Sequence, residues 1–160
     1  MSYPRANVRG MTTLRLAEVT PDNVGAACDL AVAPHQERYV APVARSLAEA
    51  YPRPDIAWPR LVYAGDELVG FVMAAFDPGC PIDYFRCGIW RLNIAAGHQK
   101  KGYGKFAVEA VLAEARRRGA DSATVLWVPG EHSPEPFYLR LGFQPTGQIH
   151  EGEVVGRIRL

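Results

Sequence analysis

Nowhere in these 160 residues does an apolar run reach the ~20 positions a helix needs to cross a bilayer, so no membrane span is expected. Charge of either sign is not in excess: 18 Lys and Arg against 17 Asp and Glu leave a formal net charge of +1. That balance points to no polyanionic partner, neither nucleic acid nor a charged membrane surface. Cysteine is scarce. Cys28, Cys80 and Cys87 are odd in number and form no C-x-x-C pair, which gives no basis for a disulfide framework or a zinc site. Free thiols fit a reducing compartment, and a cytoplasmic location is the expectation. The N-terminus lacks the apolar core of a signal peptide. No internal repeat or low-complexity segment interrupts the chain. Residues 1–10 read as a flexible N-terminal extension and 11–160 as one domain, long enough to bury a core without staples.

What is present is patterning. Leu14 to Val19 alternates apolar and polar residues and reads as a strand. Thr20-Pro21-Asp22 predicts a helix start, with Thr20 as N-cap, running to about Ala33 and stopped by Pro34. A Pro-punctuated stretch from His35 to Pro59 reads as a wall or lid. It holds one short helix over 46–51, with Ser46 as cap and Glu49 as its capping-box partner. Arg60–Ala64 and Leu68–Phe76 predict a hairpin across Gly65-Asp66-Glu67, and Phe85–Ala95 a longer strand. A helix from Tyr103 to Arg118 buries Val108, Val111, Leu112 and Ala115 and ends at Gly119. Ser122–Val128 is an apolar strand. Ser133 caps a short helix reaching Leu141, and Phe143–Ile149 with Glu153–Leu160 form a closing hairpin. The order β-α-α-β-β-β-α-β-α-β-β implies a layered α/β or α+β domain with a mixed, partly parallel sheet.

The segment Gly97-His98-Gln99-Lys100-Lys101-Gly102-Tyr103-Gly104-Lys105 carries the chemistry. It lies between an apolar strand and an amphipathic helix. Such a turn can aim backbone N–H groups at a phosphate, with the positive end of the helix behind them. Three phosphate-binding patterns compete. A Walker loop requires Lys and then Ser or Thr after its last glycine, and Gly102 is followed by Tyr103. A dinucleotide fingerprint fits Gly102-x-Gly104-x-x-Ala107 loosely, but it needs an acidic residue closing the next strand, which here ends Trp127-Val128-Pro129. The third pattern, Q-x-x-G-x-G, is matched by Gln99-Lys100-Lys101-Gly102-Tyr103-Gly104.

With that pattern, and over about 13–160, the chain resembles the GNAT superfamily of acetyl-CoA-dependent N-acetyltransferases. Val32-Ala33-Pro34 with Gln36, Tyr39-Val40-Ala41-Pro42, Trp90-Arg91-Leu92 and Phe137-Tyr138-Leu139-Arg140-Leu141-Gly142-Phe143 are similar to the bacterial spermine/spermidine (diamine) N-acetyltransferase-like group. The resemblance implies a GNAT fold: a central, mostly antiparallel sheet with a splayed parallel pair, flanked by helices. It implies acetyl-CoA as co-substrate, no metal, and by analogy a homodimer. It also implies direct transfer of acetyl, in a ternary complex, to a primary amine of a small molecule such as a polyamine. An amine-bearing antibiotic is the alternative acceptor, and a non-catalytic acyl-CoA-binding module the alternative role.

The same resemblance assigns residues. Leu92 and Ile94 would pair with the pantetheine arm through their main chain, and the Leu92 N–H would polarise the acetyl carbonyl. The turn Gln99, Lys100, Lys101, Gly102, Tyr103, Gly104 and Lys105 would hold the phosphates. Tyr138 would be the general acid for the departing thiolate. The general base stays open among Glu37, Asp83, Glu131 and Glu153, each of which could equally bind a cationic acceptor, with His35, His98 and His132 as weaker candidates. The chain departs from its relatives at Val43, Asn93 and Ala95, and Asn93 and Val43 are expected to line the acceptor pocket.

Overall fold

The computed structural model describes residues 12–160, so the extension expected at 1–10 lies outside the described residues. The strands are β1 (Leu14–Ala17), β2 (Ala57–Ala64), β3 (Glu67–Phe76), β4 (Cys87–Ile94), β5 (Ser122–Trp127), β6 (Gln144–His150) and β7 (Glu153–Arg159). The helices are α1 (Val24–Asp29), α2 (Val43–Ala50), α3 (Tyr103–Arg117) and α4 (Glu135–Arg140). Single 3-10 turns occupy Pro34–Gln36 and Asp83–Phe85. The element order is the expected one.

All seven strands join one sheet in the order β1-β2-β3-β4-β5-β7-β6. Each neighbouring pair is antiparallel except β4 and β5, which run parallel. This is the expected mixed α/β GNAT fold. β3 is buried along most of its length because both faces of the sheet are covered. On one face α3 packs Val108, Val111, Leu112 and Ala115 onto Val62, Val69, Val72, Ile89 and Val125. On the other, α1 and α2 bring Ala27, Val43 and Ala50 onto Leu61, Phe71 and Met73. The edge strand β6 is polar and exposed, with a register break between Pro145 and Ile149, features that blunt a sheet edge.

Two predicted caps are corrected. Thr20 does not cap a helix: its N–H donates to Asn23 Oδ1 at 2.7 Å, and Asn23 Nδ2 donates to the Glu18 carbonyl. Asn23 thus ties up the 20–23 turn, and α1 starts only at Val24 and ends at Asp29. Ser46 is not a cap either. Pro42, whose ring fixes φ at −57°, precedes the helix, which begins at Val43. Ser46 is fully buried inside α2, and its Oγ donates to the Pro42 carbonyl. The third expected cap is displaced by one residue: Pro134, not Ser133, is the N-cap position of α4, and Ser133 Oγ accepts the Glu135 N–H at 3.2 Å from just outside the helix.

Candidate functional site

β4 and β5 pair only at Gly88–Thr124 and Ile89–Val125. Gly88 permits that approach, because a Cβ there would collide with the Thr124 backbone. Thr124, buried, clasps the junction by donating its Oγ1 to the Tyr84 carbonyl at 2.6 Å and the Cys87 carbonyl at 3.2 Å. Beyond Ile89 the strands part. The register of β4 against β3 skips Trp90 between the Arg91–Met73 and Ile89–Ala74 pairs, a bulge that bends β4 where it leaves β5. A cleft of about 1420 Å³ opens in the resulting V.

The glycine-rich turn forms one end of this cleft. Gly97, Lys100 and Gly102 all have positive φ, at 83°, 59° and 84°. Gly102 is the N-cap residue of α3, no side chain caps the helix, and a Cβ at Gly102 would meet only open space. Among the described residues, no backbone or side-chain acceptor meets the N–H groups of Gly102 to Lys105, while the Phe106 N–H bonds the Gly102 carbonyl. Free N–H groups at the positive end of a fifteen-residue helix, with no side chain in front, form an anion cradle. Gly104 lies against Phe137: a Cβ would stand 3.2 Å from its Cζ. The turn is anchored on its far side by His98, whose Nε2 is 3.0 Å from Glu67 Oε1.

Gln99 is a brace. Gln36 Nε2 donates to Gln99 Oε1 at 3.0 Å, and Gln99 Nε2 donates back to Gln36 Oε1 and to the Ile94 carbonyl. Its side chain therefore ties together the turn, the end of β4 and the 34–36 segment.

Tyr138 stands on α4 with 5% of its surface exposed and lines the cleft. Its ring stacks on Trp127 at 5.9 Å and meets Phe137 and Phe143 edge-on. Trp127 is itself fixed, its indole N–H donating to Glu135 Oε2 at 2.7 Å. The Tyr138 hydroxyl makes no hydrogen bond among the described residues. Burial pushes its pKa upward, so the phenol keeps its proton throughout the neutral range.

Leu92, Ile94, Gln99, Lys100, Gly102, Tyr103, Gly104, Lys105, Glu37 and Glu153 all line the cleft with Tyr138. The others do not. Lys101 is exposed and outside it, as is Glu131. Asp83 bonds Arg157 at 2.8 Å away from the cleft, and that guanidinium holds its carboxyl below the usual range. Asn93 is 2% exposed and faces the α1/α2 side, where its Nδ2 donates to the Ala41 carbonyl. Val43 is core. Neither residue forms the pocket wall; both stand behind it, because the alternation of β4 and the amphipathicity of α2 turn them inward.

Four contributors were missed from sequence. Gly88 had a weak signal, since a glycine inside a strand marks close backbone approach. Thr124, Arg91 and the Tyr84–His150 pair, with the tyrosine hydroxyl 3.1 Å from Nδ1, had none. Among the described residues no helix is long and apolar enough to cross a membrane, and no group of His, Cys, Asp and Glu is arranged to hold a metal.

Residues 26–143 match the family model described as Acetyltransferase (GNAT) family. No curated protein matches the chain significantly. Among solved structures, an acetyltransferase from Thermus thermophilus is similar at 22% identity and TM-score 0.73, covering 94% of this chain and 99% of that one. The PaiA N-acetyltransferase from Thermoplasma acidophilum in complex with coenzyme A gives 10% identity and TM-score 0.67 over 92% and 99%. The ribosomal-protein-S18-alanine N-acetyltransferase from Escherichia coli gives 13% and 0.65 over 92% and 94%.

Proposed function

Because the chain belongs to the acetyltransferase (GNAT) family, we propose that it transfers acetyl from acetyl-CoA directly to the primary amine of a small molecule. The observation that carries this reading is the meeting of three features in one cleft: the splayed β4/β5 pair, the uncapped N-terminus of α3 and the cleft-facing Tyr138. A solved structure of similar fold holds coenzyme A, which supports the same ligand here.

The residues present fit that ligand. The N–H groups of Gly102, Tyr103 and Gly104 would hold its pyrophosphate, with Lys100 and Lys105 adding positive charge for the phosphates. The parted edge of β4 at Leu92 and Ile94 would receive the pantetheine amides as an added strand. Acetyl-CoA, when bound, supplies a thioester carbonyl and a thiolate leaving group. Leu92 offers a backbone N–H to the carbonyl oxygen, where negative charge develops. Tyr138 holds its proton at the hydroxyl and delivers it to sulfur. The incoming amine arrives protonated, and Glu153, which lines the cleft on β7, takes up its proton directly or through water.

Direct transfer is supported by the thiols. Cys28 and Cys80 do not line the cleft, nor does Cys87, whose thiol burial pushes up to about 11. A thiol at that value is a poor nucleophile at neutral pH, so no acetyl-cysteine route is offered. The reading is tested by incubating the protein with acetyl-CoA and a panel of amines, amino acids, aminoglycosides and peptides and measuring free CoA thiol. Acceptor-dependent release is expected. Release no greater than background hydrolysis with every acceptor would overturn the assignment in favour of a non-catalytic CoA-binding role.

A further inference from the structure

The half of the cleft facing α2 is built differently from the phosphate end. Arg91 leaves β4 toward the α1/α2 face, where its Nη2 donates to Glu49 Oε2 at 2.9 Å and its Nη1 to the Trp90 carbonyl at 3.0 Å. Arg45, one turn before Glu49 on α2, donates Nε to the other carboxylate oxygen at 2.9 Å. One carboxylate thus serves two guanidiniums, leaving one positive charge unmatched. Arg53 adds a third, its Cζ 5.9 Å from the centre of the Trp90 ring. All three arginines line the cleft, and Glu49 does not.

Arg91 is also under-used. A guanidinium carries five N–H donors. Among the described residues, two of those on Arg91 meet protein acceptors, and its buried Nε meets none. Asp77, Glu151 and Glu153 line the same cleft, and the charge of Glu153 is felt at Arg91. Both signs therefore face one cleft, with the positive charge on α2 (Arg45), on β4 (Arg91) and just after α2 (Arg53). A second ammonium placed among three guanidiniums would be repelled, whereas a carboxylate would complete their hydrogen bonding in a forked geometry.

We infer that the acceptor carries a carboxylate as well as its amine, anchored by Arg91 with Arg45 and Arg53 while Glu153 receives the ammonium. The acceptor class is then a small amino acid rather than a diamine. This rests on the acetyl-transfer reading above.

The test compares glycine, β-alanine and 4-aminobutyrate, each beside its amide and the diamine of the same chain length, by thiol release from acetyl-CoA. The best acid is expected to exceed its amide and its diamine in kcat/KM by roughly tenfold or more, the scale of a charge-assisted contact. Arg91→Gln should raise KM for the acid and leave KM for the amide unchanged, with Arg91→Lys recovering part of the loss. Unaltered CoA affinity reports that each variant is folded, and Arg53→Gln gives a second, exposed position if Arg91→Gln does not fold. Amides or diamines used as well as the acids would overturn the inference alone. No release with any amine would remove the transfer reading and this inference together.

Discussion

Gln36 and Gln99 face each other as a reciprocal amide pair, each side chain donating to the other's carbonyl oxygen across 63 positions of sequence. One belongs to the turn that opens the acceptor wall, the other to the phosphate turn. The pair therefore couples the two ends of the cleft. Gln36→Ala should leave the phosphate N–H groups intact but loosen their anchorage, raising KM for acetyl-CoA a few-fold, about 1 kcal/mol for a lost part-buried hydrogen bond. Gln36→Glu would leave one amide facing a carboxylate and should retain more affinity. Initial-rate measurements at varied acetyl-CoA check both.

Tyr138→Phe removes a hydroxyl that has no hydrogen-bond partner among the described residues and keeps the stacking on Trp127. Stability should hardly change. Turnover should fall by about 10²-fold or more if the phenol is the proton donor, with KM for acetyl-CoA little altered. Thermal melting and thiol release on the same preparation separate the two effects, and full turnover in Tyr138→Phe would remove the acid assignment.

The two glycines of the turn should fail differently. At Gly102 the strain is in the backbone: a φ of +84° costs an L-residue roughly 1–2 kcal/mol, while the space in front is open. Gly102→Ala should therefore weaken CoA binding modestly. At Gly104 the obstacle is Phe137, next to the proposed acid. Gly104→Val should push α4 and lower kcat as well as affinity. Calorimetric titration with CoA, set beside kcat, shows whether the two substitutions diverge.

Gly156 on β7 has the ring of Trp127 where a side chain would be. Gly156→Ala should cost about 1–3 kcal/mol by overpacking and disturb the surface on which Tyr138 stacks. Urea unfolding followed by tryptophan fluorescence measures the loss. An unchanged midpoint would mean the ring can move aside.

Glu114 accepts hydrogen bonds from Arg117 and Arg118 at the C-terminal end of α3, and these hold its carboxyl down to about 2. A depressed folded-state value stabilises the protein above the unfolded value near ~4.5. That stability is lost as pH falls toward about 2. Both arginines are partly in solvent, so screening limits the effect to about 1 kcal/mol. Wild type should exceed Glu114→Gln in stability at pH 6, and the gap should narrow below pH 4.5 and close only toward pH 2. Acid unfolding curves of the two proteins test this, and a gap independent of pH would refute it.

The contiguous parts of the protein were legible from sequence. The phosphate turn can be read because Gly97 to Lys105 are neighbours and each positive φ is a local demand. The α3 stripe can be read because a 3.6-residue period is written into Val108, Val111, Leu112 and Ala115. The order of elements along the chain followed from the same kind of short-range pattern, whereas the expectation for Tyr138 rested on resemblance. Local rules failed where another partner overrode them. Asn23 claimed the Thr20 N–H, and the core drew Ser46 into the middle of α2. Asn93, polar and close to the turn, looked like a pocket residue until the pleat of β4 directed it to the Ala41 carbonyl. Only the folded chain decides that Gly88 lets β4 touch β5 at two pairs before they part, that Gln36 reaches Gln99, and that Arg91 and Arg45 share Glu49. Sequence determined the glycine-rich turn and the elements around it, since both are set by adjacent residues. The cleft, and the charge it presents to an acceptor, was decided by tertiary structure, since each of its defining contacts joins residues that are neighbours only once the sheet has formed.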